Sequence, residues 1–133
     1  MKLSNRTQGQ LEDWIKGLFR AFDRLEKDCF FMPFLDDDVY LSIHGQEYYG
    51  HEGFKQWMGE NRAFFSHGSL LHHSHSFSFD ALENGLIQVS FLLEFKAESK
   101  EGERFEHQVS EQWLVRNISG QFRILSYQVT PLS

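Results

Sequence analysis

Apolar and polar positions recur in two rhythms along this chain, and the change of rhythm divides it. In the first third, Leu11, Trp14, Ile15, Leu18, Phe22, Leu25 and Cys29 fall at three- and four-residue spacings. Such spacing gathers them on one stripe of a helix. A first helix is therefore predicted up to about residue 29, with Thr7 and Gln10 as a capping box and Cys29 as a small buried group. Pro33 does not fit inside a helix, so 30–35 reads as a short second helix or a turn, and Asp36, Asp37 and Asp38 as a polar break. Val39 to His44 alternates and predicts a first strand, followed by a turn or very short strand over 45–50. A second long helix is expected from 51 or 52 to about 65. Phe54, Trp57, Met58 and Phe65 mark its buried face, and His67-Gly68 its stop.

Beyond residue 69 the period drops to two. Strands are predicted over roughly 69–80, 86–98, 103–117 and 121–130. Asn84-Gly85, Gly102 and Ser119-Gly120 separate them and supply turn chemistry suited to hairpins. In the second of these strands Ile87, Val89, Phe91, Leu93 and Phe95 share one side. The third is the informative one. Phe105, His107, Val109, Glu111, Trp113 and Val115 form one alternating set, so a histidine and a carboxylate stand among four large apolar groups. An unpaired charge in such a place costs several kcal/mol, on the order of the whole stability of a fold. Either partners neutralise these groups or they line a hollow.

Composition narrows the reading. One domain over residues 1–133 is expected from the length, and 14 Phe, 4 Tyr and 3 Trp favour a large core or an apolar cavity over disorder. The net charge of −6 argues against nucleic acid and anionic membrane surfaces as partners. The one basic cluster, Lys16, Arg20, Arg24 and Lys27, is interleaved with Glu12, Asp13, Asp23 and Glu26 and reads as a solvated face. A lone cysteine excludes an internal disulfide, and no apolar stretch approaches the length of a membrane span. The polar start lacks the apolar core of a signal peptide, so a cytoplasmic location is expected.

The stretches Phe34-Leu35-Asp36-Asp37-Asp38-Val39-Tyr40-Leu41 and Tyr49-Gly50-His51-Glu52-Gly53-Phe54, within this order of elements, resemble the nuclear transport factor 2-like superfamily. That superfamily includes SnoaL-like polyketide cyclases, ketosteroid isomerases and scytalone dehydratase. The resemblance implies an α+β fold in which a strongly curved antiparallel or mixed sheet wraps, cone-like, around the N-terminal helices. It covers nearly the whole chain with loose motifs. The general base of ketosteroid isomerases falls near Ser42 and is missing. One histidine of scytalone dehydratase falls near His73, its second near Phe95 or Lys96, and its amide near Glu111. No catalytic set of the superfamily is complete.

Glu111 is the leading candidate, because burial lifts a carboxyl pKa toward neutrality, where the group exchanges protons at pH 7. His73 and His75 share a strand face with Phe77 and Phe79, while His72 points the other way. They are read as hydrogen-bonding pocket histidines and proton-transfer partners of Glu111 rather than metal ligands, since alternating strand histidines are no specific metal signature. His107, Trp113, Tyr40, Phe91 and Trp14 are assigned to ligand contacts. The expected function is cofactor-free isomerisation, dehydration or cyclisation of a small apolar or aromatic keto- or hydroxy-compound. The alternative is a non-catalytic carrier or association module. A homodimer is expected through the outer sheet face, where Leu86 and Leu92 lie among Gln88, Ser90 and Glu94.

Overall fold

A computed structural model describes residues 3–132. Helix α1 (Asn5–Asp23) is followed by the short α2 (Asp28–Phe31) and a 3₁₀ turn at Met32–Phe34. Strands β1 (Leu35–Ile43) and β2 (Gln46–Tyr49) form a hairpin, and α3 (Gly50–Phe64) leads into β3 (Leu71–Ala81), β4 (Leu86–Glu98), β5 (Arg104–Ile118) and β6 (Gln121–Pro131). The six strands make one sheet in the order β2-β1-β6-β5-β4-β3. Only β1 and β6 run parallel; all other neighbours are antiparallel. This is the α+β, helix-wrapping architecture expected from the sequence.

The sheet curls for a reason of size. The 15 residues of β5 would span about 50 Å if straight, more than the roughly 40 Å width of a protein this long. Its inner face packs on α1, which buries Leu11, Ile15, Leu18, Phe19, Ala21 and Phe22. Gly50–Phe64 closes a second side through Phe54 and Met58. Two-residue turns fix the registers. Ser119 and Gly120 both take positive φ (52° and 85°), as do His44 and Gly45 (51° and 85°), the geometry that matches strand twist. At Gly85 a Cβ would sit 2.8 Å from the carbonyl oxygen of Asn117, so the strands approach there only because that position has no side chain.

Three expectations need correction. The first helix stops at Asp23, where Leu25 enters the left-handed region (φ 51°) and the amide of Glu26 donates to the carbonyl of Ala21. Cys29 is consequently exposed rather than buried. The helix is capped by Ser4, whose hydroxyl accepts from the amide of Thr7 at 3.2 Å. The three aspartates do not break the chain but belong to β1, which bulges against β6 between Leu35 and Tyr40.

Candidate active site

A cavity of about 240 Å³ lies between the inner face of the sheet and the two long helices. Its wall is mostly apolar: Phe22 and Leu25 from the end of α1, Trp57, Met58 and Phe65 from α3 and its end, and Leu93, Phe95, Phe105, Val109 and Val129 from the sheet. Five titratable side chains interrupt that wall: His44, His72, His107, Glu111 and Tyr127.

Glu111 faces inward, as the alternation of β5 requires, and is 2% exposed. Trp113, two residues on and on the same face, donates its indole N–H to Oε1 of Glu111 at 3.0 Å. The hydroxyl of Tyr127, opposite Trp113 on β6, donates to the same carboxyl group. Among the described residues no cation is paired with it, and burial outweighs both hydrogen bonds, raising its pKa from 4.5 to about 8. Glu111 is thus an uncharged carboxylic acid at neutral pH. Tyr127, buried beside it, is pushed well above its ordinary range, first by burial and then by the neighbouring carboxyl.

The histidine that enters the cavity from β3 is His72. Its Nδ1 lies 2.6 Å from Oδ1 of Asp23, the last residue of α1. Its ring stacks on Phe19 at 5.1 Å and packs against Phe95 at 4.9 Å. Nδ1 is taken up by the aspartate, and Nε2 is the ring nitrogen left over for the cavity. His73 and His75 lie on the opposite, outer face, where His75 stands 3.6 Å from Glu94. The expectation that they enter the cavity fails because β3 is not regular. Between His75 and Ser78 it holds one residue more than β4, and Ser76 takes φ 61°. That bulge swaps faces, so Phe77 and Phe79 point inward although His73 and His75 do not.

The expected ligand contacts divide. His107 lines the cavity. Trp113 and Phe91 are core residues beneath it and do not line it, though Trp113 holds Glu111 in place. Trp14 lies two turns back along α1 against Phe34, Phe122 and Trp113, too far back to reach the cavity. Tyr40 is paired with Tyr49, their rings 5.4 Å apart, also away from it. Sequence reasoning did not bring Asp23 to His72, nor place His72, Tyr127 and His44 in the cavity wall. For Tyr127 a signal existed, since Phe122 and Ile124 mark the inward face of β6, but a second bulge opposite Leu114 and Val115 shifts the phase before residue 127. Among the described residues no group of three or more potential metal ligands comes together.

No protein-family model matches the sequence, and no curated protein does. Solved structures match it well. A candidate aromatic ring hydroxylase from Novosphingobium aromaticivorans superposes with a TM-score of 0.89 at 15% identity, over 99% of this chain and 93% of that one. A nuclear transport factor 2-like superfamily protein from Salmonella enterica gives 0.85 at 11% identity, over 98% and 94%. The fold is nuclear transport factor 2-like. A candidate scytalone dehydratase from Novosphingobium aromaticivorans shares this nuclear transport factor 2-like fold, with a TM-score of 0.79 at 14% identity over 95% and 84% of the two chains. At these identities the likeness concerns architecture, and the chemistry has to come from the cavity itself.

Proposed function

We propose that this protein binds a small, mainly apolar keto- or hydroxy-compound and moves protons on it without a cofactor, as an isomerase, dehydratase or cyclase does. The observation that carries this reading is that an aspartate-held imidazole and an uncharged carboxylic acid line one apolar cavity. Base and acid are kept apart. Along the sheet His72 and Glu111 are two strands and four residues from each other, about 16 Å between backbones, so their side chains converge from two flanks on a molecule between them. A neighbouring pair would simply exchange its proton; a separated pair can take one and give one.

The steps follow from the atoms. Nε2 of His72 accepts a proton from the carbon next to a carbonyl, and the resulting imidazolium is stabilised by Asp23. Because Trp113 only donates, Oε1 of Glu111 accepts and the acidic proton resides on Oε2. That proton passes to the oxygen that is gaining charge. In an isomerisation the carbonyl oxygen receives it and returns it to Glu111 as the imidazolium delivers its own proton to another carbon; in a dehydration the departing hydroxyl receives it and leaves as water, after which the imidazolium releases its proton to solvent and Glu111 takes one up. The apolar wall excludes solvent and strengthens both interactions. About 150 Å³ is enough for benzene, so 240 Å³ suits a substituted single ring or a bicyclic compound. That a protein of the same fold is named for a dehydration agrees with this reaction class.

The test is exchange at carbon. With 2-tetralone in D₂O as probe, the protein is expected to accelerate deuterium incorporation next to the carbonyl. His72→Asn and Glu111→Gln should each lower the enzymatic rate by roughly 10²–10⁴-fold. A Glu111→Gln variant with undiminished exchange would remove the acid from the account, and absence of exchange by the parent protein would remove the reaction class.

A further inference from the structure

Two imidazoles stand at the exposed edge of the cavity, and the steps above use neither. His44 sits in the two-residue turn between β1 and β2, in the left-handed region (φ 51°), and turns its side chain to the cavity. Asparagine and glycine are the ordinary choices there. His107 reaches the same edge from β5, four residues before Glu111. Neither ring has a hydrogen-bond or ion-pair partner among the described residues. Acidic side chains around them are engaged elsewhere: Glu94 pairs with His75 and Glu106 with Lys96 on the outer surface, and Glu47, three residues from His44 on β2, is exposed and accepts from the hydroxyl of Tyr49. In a chain of net charge −6, the inner rim carries two potential cations and, among the described residues, no anion.

We infer that His44 and His107 form an anion subsite, so that the ligand is an apolar ring compound bearing one carboxylate, held at the mouth while its ring fills the interior. This rests on the proposal that the cavity is the ligand site. The other groups facing it fit the assignment. The one carboxyl in the wall, Glu111, is uncharged at neutral pH, and Tyr127 beside it is held protonated. Asp23 is engaged by His72. Nothing in the wall then opposes an anion at the rim. Burial and the neighbouring His107 keep the pKa of His44 below its ordinary 6.5, and an anion between the rings offsets both effects. Anion binding should therefore be accompanied by proton uptake, and affinity should rise as pH falls.

The probes are 1-naphthoate and its neutral isostere 1-naphthamide, read by quenching of Trp57, which lines the cavity. Naphthoate is ionised throughout the range used. At pH 6 it is expected to bind roughly tenfold more tightly than the amide, with the preference falling to about twofold or less by pH 8. Calorimetry in buffers of different ionisation enthalpy should register proton uptake for naphthoate alone. Glu111 also loses its proton near the upper end of this range, so the controls separate the two sources. Glu111→Gln should keep the preference at pH 6, and His44→Asn/His107→Gln should lose it while still binding the amide. Amide binding with no preference for naphthoate at any pH overturns the anion subsite and leaves the pocket standing. Binding of neither probe overturns both. A preference that survives in the double variant assigns the anion elsewhere and overturns the role of these histidines.

Discussion

At the scale of single residues, Glu111 governs how the protein responds to pH. Its carboxyl group loses its proton near pH 4.5 in the unfolded chain and near 8 in the folded one, because burial excludes the charge. The folded state therefore holds this proton more tightly. The associated stability is fully present below about pH 4.5, is lost as pH rises to about 8, and changes no further above it. A difference of that size is worth at most about 5 kcal/mol, at 1.4 kcal/mol per tenfold. Glu111→Gln keeps an acceptor for Trp113 and has no proton to lose. The variant is expected to melt at or above the parent temperature at pH 8 and to lose most of the slope in unfolding free energy between pH 5 and 8. Urea titrations across that range check it, and an unchanged slope would mean that the carboxyl is ionised inside the fold.

At the scale of elements, β3 decides which histidine belongs to the site. Its single bulge at Ser76 allows His72 and Ser74 to face inward on one side of the kink and Phe77 and Phe79 on the other. Deleting Ser76 makes the strand regular. With the extra residue gone, plain alternation keeps His72 and Ser74 on the same face as Phe77 and Phe79, so His72 stays beside Asp23. The deletion is expected to cost no more than roughly 1–3 kcal/mol in denaturant unfolding and to retain carbon–deuterium exchange. Abolished exchange in a folded deletion variant would show that Ser76 is not simply an extra residue between two in-phase halves of the strand. The same strand marks the limit of what the sequence discloses. Strand and turn positions after residue 69 were legible to within about two residues, because Asn84-Gly85 and Ser119-Gly120 punctuate a strict alternation. The inward orientation of Glu111 was legible because β5 has no irregularity before residue 114. His72 was not, since one extra residue reverses the phase and serine is a common strand residue that gives no sign of it. Asp23 was hidden for another reason. Its contact with His72 joins residues 49 apart and depends on where α1 stops, while the three- and four-residue apolar spacing in the sequence runs on to Cys29.

At the scale of the molecule, the curled sheet and the two helices bring together groups that no single element contains. Asp23 comes from the end of α1, His72 from an edge strand, Glu111 from the middle of the sheet and Tyr127 from β6, which joins the two halves by its parallel contact with β1. The central claim is that the base and the uncharged acid act on one molecule in the hollow between these elements. The pH dependence of 2-tetralone exchange tests it most directly, because the rate requires His72 unprotonated and Glu111 protonated at the same time. A catalysed rate that falls as pH rises through about 8, where Glu111 gives up its proton, is the expected result. A catalysed rate that stays flat or keeps rising from pH 7 to well above 8 would contradict the account.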